Sequence, residues 1–167
     1  MPMYNEEETI GSVVTRTLRY VDEVICIDDG SSDSSARIAE ACGATVIRHR
    51  VNRGYGGALK TLFLEATKLD ADALVLLDSD GQHETGDIPK LLKPILDGEA
   101  DFAIGSRFVD GGGGTDMPAY RRLGIKVITA ASNLSSDLGI KDTQSGFRAF
   151  SRTCLLYTSP SPRDNRT

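Results

Sequence analysis

Ala73–His83 reads A-L-V-L-L-D-S-D-G-Q-H, an apolar run that passes directly into two carboxylates, Asp78 and Asp80. A short run with no polar interruption suits a strand buried on both faces of a parallel sheet. Glu23–Asp28, E-V-I-C-I-D, has the same form and the same acidic end. Between and around these runs the periodicity becomes helical. Ile10, Val13, Val14, Thr17 and Leu18 recur at helical spacing behind an acidic opening turn. Asp33 or Ser34 can cap a helix running to about Cys42, where Gly43 is placed to stop it. Ala44–Ile47 is a further short strand. Asn52–Gly57 is a glycine-rich loop leading into a helix that ends near Leu69. Ile88–Leu96 is helical, with Pro89 tolerated in its first turn. Asp101–Gly105 is a fourth strand, Gly111–Gly114 a mobile loop, and Tyr120–Leu138 an amphipathic helix. Strands alternating with helices predict a doubly wound α/β domain.

The chain has 167 residues, 40% hydrophobic and 26% charged, which fits one globular domain. A net charge of −5 and a pI near 5.0 argue against coating nucleic acid. No apolar run approaches the ~20 residues that span a bilayer. Pro2–Glu8 is polar and acidic, unlike a signal peptide. Cys26, Cys42 and Cys154 are odd in number and lack C-x-x-C spacing, so neither a disulfide framework nor a zinc knuckle is expected.

Both ends depart from the pattern. Pro2-Met3-Tyr4-Asn5 leads straight to a helix with no strand in front of it, so the domain is expected to be truncated there. Cys154–Asp164, C-L-L-Y-T-S-P-S-P-R-D, carries no helical or strand periodicity. Its back-translation resembles a transposon-based sequencing adapter. The native sequence is then expected to end near Arg152 or Thr153, with residues 1–153 a catalytic-domain fragment and 154–167 a non-native or disordered tail.

The acids carry the chemistry. Asp78 and Asp80 project at the carboxyl edge of a sheet, where α/β folds bind ligands. Hard carboxylate oxygens suit Mg²⁺ or Mn²⁺, ions that keep waters and share a substrate's phosphates. An isolated D-x-D also suits a turn with a helix cap. It is a poor calcium loop, since Gln82, His83 and Pro89 occupy positions an EF-hand gives to other residues. Asp28-Asp29-Gly30-Ser31-Ser32-Asp33 is a second acidic strand end, able to accept hydrogen bonds from a base or ribose, or to cap the next helix. Asn52–Thr61 fails the Walker pattern because Leu59, not Gly, precedes Lys60. Arg107 can clamp a diphosphate, or form a surface ion pair. Asp142 can act as a base or orienting carboxylate, though alone it reads as a turn. His49 and His83 are single, and are expected to be structural or to support other side chains.

Taken together, P-M-Y-N-E-E-E-T-I, D-D-G-S-S-D, N-R-G-Y-G-G-A-L, D-S-D-G-Q-H, G-S-R-F and D-T-Q-S-G-F-R-A-F resemble glycosyltransferase family 2, in the order that family shows. The likeness is to its polyprenyl-phosphate, dolichyl-phosphate mannose synthase-like branch, and runs from Pro2 to about Arg152. The resemblance implies a GT-A (Rossmann-like) fold, mostly parallel sheet with helices on both faces. It implies inverting transfer of a hexose from a nucleotide-diphospho-sugar, with Mg²⁺ or Mn²⁺, to a lipid phosphate met at the cytoplasmic face of a membrane by the intact protein; a saccharide hydroxyl as acceptor, with Asp142 taking its proton, and an inactive truncated fragment stay open as alternatives. Pro2, Tyr4 and Glu6 would line the nucleotide pocket, and Ile27 and Asp29 would contact base or ribose. Asp78, Asp80 and Gln82 would hold the metal, and Ser79 would contact substrate. Arg107 would meet the donor phosphates and Asp142 would lie near the transferred sugar; with Asp80 these form the expected catalytic set. Val109–Thr115 matches the family's mobile acceptor loop. A nucleotidyltransferase would instead open on a glycine- and arginine-rich triphosphate loop, which Pro2–Glu8 does not resemble.

Overall fold

The structure is a computed structural model that describes residues 1–105 and 146–158. In chain order its elements are β1 (Pro2–Met3), α1 (Ile10–Thr17), β2 (Ile25–Asp28), α2 (Ser35–Ala41), β3 (Thr45–Arg48) and α3 (Gly54–Ala66). There follow β4 (Ala73–Leu76), α4 (Ile88–Leu96), β5 (Phe102–Ile104), β6 (Arg148–Ser151) and α5 (Arg152–Thr158). Strands β1, β2 and β3 form a parallel sheet in that order. A second sheet has the order β4-β6-β5, with β6 antiparallel to both neighbours.

Side chains alternate across a strand, and both faces here are buried. On one face Cys26, Leu77 and Ala149 pack with Ile10, Val13 and Val14 of α1, Ala36 and Ala39 of α2, and Ile88, Leu91 and Ile95 of α4. On the other, Ile27, Leu76 and Phe150 pack with Ala58 and Leu62 of α3 and Leu155 of α5. The buried residues of α1 and α4 follow the i, i+3, i+7 rhythm of a half-buried helix. Helix α2 stops as expected at Gly43, whose φ is +96°. Gly43 N–H bonds to Glu40 and Ala44 N–H to Ala39, both at 3.0 Å, the paired closure that a glycine permits.

Four expectations change. A strand does precede α1: Ile27 N–H donates to the Met1 carbonyl at 2.8 Å and Asp29 N–H to Met3 at 3.0 Å. Two residues are too few to show a period. The glycine-rich segment is mostly helix, since α3 begins at Gly54. The stripe Ala58, Leu62, Ala66 buries against the sheet and outweighs glycine's poor helix propensity. Asp142–Arg148 reads as a polar loop around one aromatic, yet its last residue, Arg148, already opens strand β6. The chain from Cys154 is helical to Thr158, and Leu155 is buried in the second core cluster, so this part is not irregular. The glycines 111–114, the helix expected at 120–138, Arg107, Asp142 and the rest of the tail lie outside the described residues.

One outcome follows from this packing. Leu155→Ala should cost ~2–5 kcal/mol in urea unfolding, as core truncations do, whereas exposed Leu156→Ala should be nearly neutral.

Candidate active site

The segment after β1 is fastened to the segment after β2. Asn5 N–H donates to Ser31 Oγ at 2.9 Å, and Ser32 N–H donates back to Asn5 Oδ1 at 2.9 Å. Glu6 N–H reaches Ser35 Oγ at 2.7 Å, and Ser34 N–H reaches Glu7 Oε2 at 2.9 Å. Asp33 does the capping for α2: its Oδ1 accepts from Ser35 N–H at 2.9 Å, while Ser34 occupies the cap position without a capping bond from its side chain. Y-N-E-E and D-D-G-S-S-D are therefore two halves of one hydrogen-bonded unit.

Parallel register sets Arg48 opposite Asp28. The fully buried Asp28 carboxylate meets Arg48 Nε at 2.9 Å, an ion pair by distance rather than an aligned hydrogen bond, and its Oδ1 accepts from Ser31 N–H at 2.9 Å. Asp29 turns the other way. Its Oδ1 accepts from His49 Nδ1 at 2.6 Å and from Arg53 N–H at 2.9 Å. Burial pushes the Asp29 carboxyl up, but the hydrogen bonds from His49, Arg53 and Gly54 outweigh it and hold it below its ordinary value.

At the end of β4, Asp78 Oδ1 accepts from the Tyr55 hydroxyl and Oδ2 from His83 Nε2, each at 3.2 Å. The His83 bond, opposed by burial and aided by Tyr55, keeps the Asp78 carboxyl below the usual range. Burial and the neighbouring Asp78 charge push the Tyr55 phenol up to about 12. The His83 ring stacks on Phe147, with centroids 5.4 Å apart. Gly146 lies against Asp78 so closely that a Cβ there would sit 2.0 Å from Oδ2. Ser79 is buried; its hydroxyl donates to the Pro2 carbonyl at 3.0 Å, and its own carbonyl accepts from Thr9 Oγ1 at 2.9 Å. Asp80 Oδ1 accepts from Gln82 N–H at 2.9 Å, closing the turn.

These groups surround one cavity of about 270 Å³, lined by Pro2, Tyr4, Glu6, Asp29, Tyr55, Asp78, Ser79 and Asp80 among others. It opens at the carboxyl ends of β1, β2 and β4. A larger cavity of about 480 Å³ lies at the amino ends of β2 and β4, and holds none of the strand-end acids Asp28, Asp29, Asp78 or Asp80. Chemistry rather than volume therefore locates the site. Of the expected residues, Pro2, Tyr4, Glu6, Asp29, Asp78, Ser79 and Asp80 come together here. Ile27 does not: its side chain is wholly buried against α3 and α5 and cannot touch a base or ribose. Exposed Gln82 is not part of the lining. The reading of residue types missed Tyr55 and Gly146, whose roles depend on which distant segments meet at Asp78.

Among the described residues no group of three His, Cys, Asp or Glu side chains comes together to cage a metal. Two carboxylates at a cavity edge are what Mg²⁺ or Mn²⁺ uses when substrate phosphates and waters complete its shell. Asp78 and Asp80 fit such an ion, and fit a protein-enclosed zinc poorly.

Comparison with known proteins agrees with this geometry. The model of the family described as Glycosyl transferase family 2 matches residues 1–156. The chain is 32% identical, over 99% of its length and 73% of the other, to a UDP-N-acetylglucosamine–dolichyl-phosphate N-acetylglucosaminyltransferase of Methanococcus voltae. It is 34% identical, over 97% of its length and 48% of the other, to a dolichol-phosphate mannosyltransferase of Pyrococcus furiosus. Glucosyl-3-phosphoglycerate synthase of Mycobacterium tuberculosis, solved with Mn²⁺ and UDP-glucose, superposes with a TM-score of 0.68 at 29% identity. That superposition covers 91% of this chain and 54% of the synthase. The fold is thus GT-A. The chain spans between about a third and three quarters of the length of the curated relatives it matches.

The contact at Gly146 has a measurable consequence. Gly146→Ala should destabilise by ~1–3 kcal/mol, as overpacking does. Asp78→Ala removes the atoms that clash, so the double variant should cost less than the two single changes summed. Urea unfolding of the four proteins checks this. Simple additivity would separate the two residues.

Proposed function

The chain belongs to glycosyl transferase family 2, and on that premise we propose that its cavity holds a nucleotide-diphospho-sugar whose hexose passes, with inversion, to a polyprenyl phosphate. The observation that carries this reading is the meeting of Asp29, Asp78 and Asp80 around one cavity at the strands' carboxyl ends. The nucleoside lies toward Tyr4, Glu6 and Asp29, and the diphosphate toward Asp78 and Asp80. These two acids would hold Mg²⁺ or Mn²⁺. When bound, the ion neutralises charge that builds on the departing nucleoside diphosphate.

The chain's own groups prepare that site. Tyr55 and His83 donate to opposite oxygens of Asp78 and fix its plane. Their donors also favour the ionised carboxylate that a cation needs. Ser79 contributes by joining β4 to β1 rather than by a free hydroxyl. By the family resemblance, Arg107 would meet the donor phosphates and Asp142 would serve the transferred sugar. A lipid phosphate is already ionised near pH 7, so its attack on the anomeric carbon requires no strong base. Among the described residues no helix is long and apolar enough to cross a membrane. Contact of the intact protein with the lipid is proposed as peripheral, at a cytoplasmic membrane face. The relatives from Methanococcus voltae and Pyrococcus furiosus, named for dolichyl or dolichol phosphate, support this acceptor class. The donor is of the GDP-mannose or UDP-glucose type.

The test offers the protein radiolabelled UDP-glucose or GDP-mannose with Mn²⁺, and either polyprenyl phosphate in detergent or free oligosaccharide. Label should enter the lipid phase, disappear with a chelator, and fall by about 10²-fold or more in Asp80→Asn. Label confined to the oligosaccharide would overturn the lipid acceptor and require Asp142 as a base.

A further inference from the structure

His49 is buried, carries no part of the cavity lining, and stands in the sequence as a lone histidine. Its ring stands between two partners: Nδ1 lies 2.6 Å from Asp29 Oδ1, and Nε2 lies 2.8 Å from Thr61 Oγ1 on α3. The His49 and Asp29 side chains are only 4% and 6% exposed, so water does little to orient either. We propose that His49 is a positioning residue for nucleotide recognition, holding the Asp29 carboxylate toward the cavity while Thr61 holds His49. This rests on the reading that the cavity takes a nucleoside diphosphate.

An ionised carboxylate only accepts, so Nδ1 must carry the proton of the 2.6 Å contact. That assigns the far nitrogen to Thr61. The Thr61 hydroxyl also lies 3.2 Å from the Gly57 carbonyl, so it has two places to send its single proton. Toward Nε2, it satisfies a neutral ring. Toward Gly57, it accepts from the second N–H of a protonated ring. Both ring states keep two hydrogen bonds, and Nδ1–H points at Asp29 in each. A carboxylate has about four lone-pair sites. The chain occupies part of that capacity, through His49 and Arg53 N–H. What is left can accept from an N–H of the base or a hydroxyl of the ribose.

Other charges near Asp29 do not replace His49. Asp28 is paired with Arg48. Arg53 and Gly54 contribute backbone N–H groups. Glu6, Asp78 and Asp80 line the same cavity and carry the same sign as Asp29. Tyr4 and Tyr55 are phenols.

The test measures UDP and GDP binding by calorimetry for the full chain with Mn²⁺. Loss of one charge-assisted hydrogen bond corresponds to about tenfold or more in affinity. His49→Leu should weaken binding by about that factor. His49→Asn, whose amide nitrogen can stand where Nδ1 stood, should restore most of it. Thr61→Val should weaken binding and Thr61→Ser should not. In an Asp29→Asn background His49→Leu should add nothing, because it acts through Asp29. Equal losses for UDP and GDP identify ribose as the partner; unequal losses identify the base. Wild-type affinity in His49→Leu, or the same loss with Asp29→Asn present, overturns the proposal. If Asp29→Asn itself binds normally, the assignment of this cavity to a nucleotide fails instead. A readout without nucleotide is carbon-13 titration of the Asp29 carboxyl in the free chain. It should move up in His49→Leu and return in His49→Asn, and an unmoved titration also overturns the proposal.

Discussion

Burying a carboxylate is costly unless a donor or cation meets it. Asp28 and Asp29 are 0% and 4% exposed, and the architecture around them is arranged to satisfy them. Strand β3 runs beside β2 in the one register that brings Arg48 and His49 level with the two acids. One acid turns to the cation and the loop N–H, the other to the imidazole and the start of α3. A slip of one residue would turn Arg48 and His49 to the faces opposite their acids. The same need recurs at Asp78, met by Tyr55 from α3 and His83 from its own loop.

That need accounts for why sequence segments far apart come in a set. The acids alone would repel at the end of a sheet. Each draws a partner from another segment of the chain, and neighbouring loops hold one another, as Asn5–Glu7 and Ser31–Ser35 do. Gly146 answers to the same shortage of space, since only a residue without a side chain lets the backbone pass Asp78. The residues that line the cavity are mostly loop residues, but their positions are set by strand ends that cannot move independently.

Local periodicity reveals local structure, and it did so for α4, whose bounds of Ile88–Leu96 match the apolar spacing. The acids of the site were legible too, because a carboxylate directly after a buried apolar strand stands at the sheet edge where α/β folds take their ligands. What stayed hidden depends on distance along the chain. Strand β6 pairs between β4 and β5 across dozens of residues, and no local pattern in R-A-F-S announces that. Tyr55 was concealed by three glycines that looked like a loop. His49 has no motif, and only the β2–β3 register shows what it faces. Ile27 illustrates the opposite error: the family resemblance implied contact with a base or ribose, but strand alternation turns its side chain into the core.

The described sheets do not share a backbone ladder where β1 meets β4. The seam is closed by side chains, with Ser79 bonded to Pro2 and Thr9 bonded to Ser79. The cavity straddles this seam, with Asp29 on one half and Asp78 and Asp80 on the other. A molecule that touches both halves therefore acts as a clasp as well as a passenger. Its binding energy is added to this join between the sheets, by mass action on the closed form. Amide hydrogens of β1 and β4 would then exchange more slowly when the clasp is in place, while those of β3, on the far edge, would feel it least.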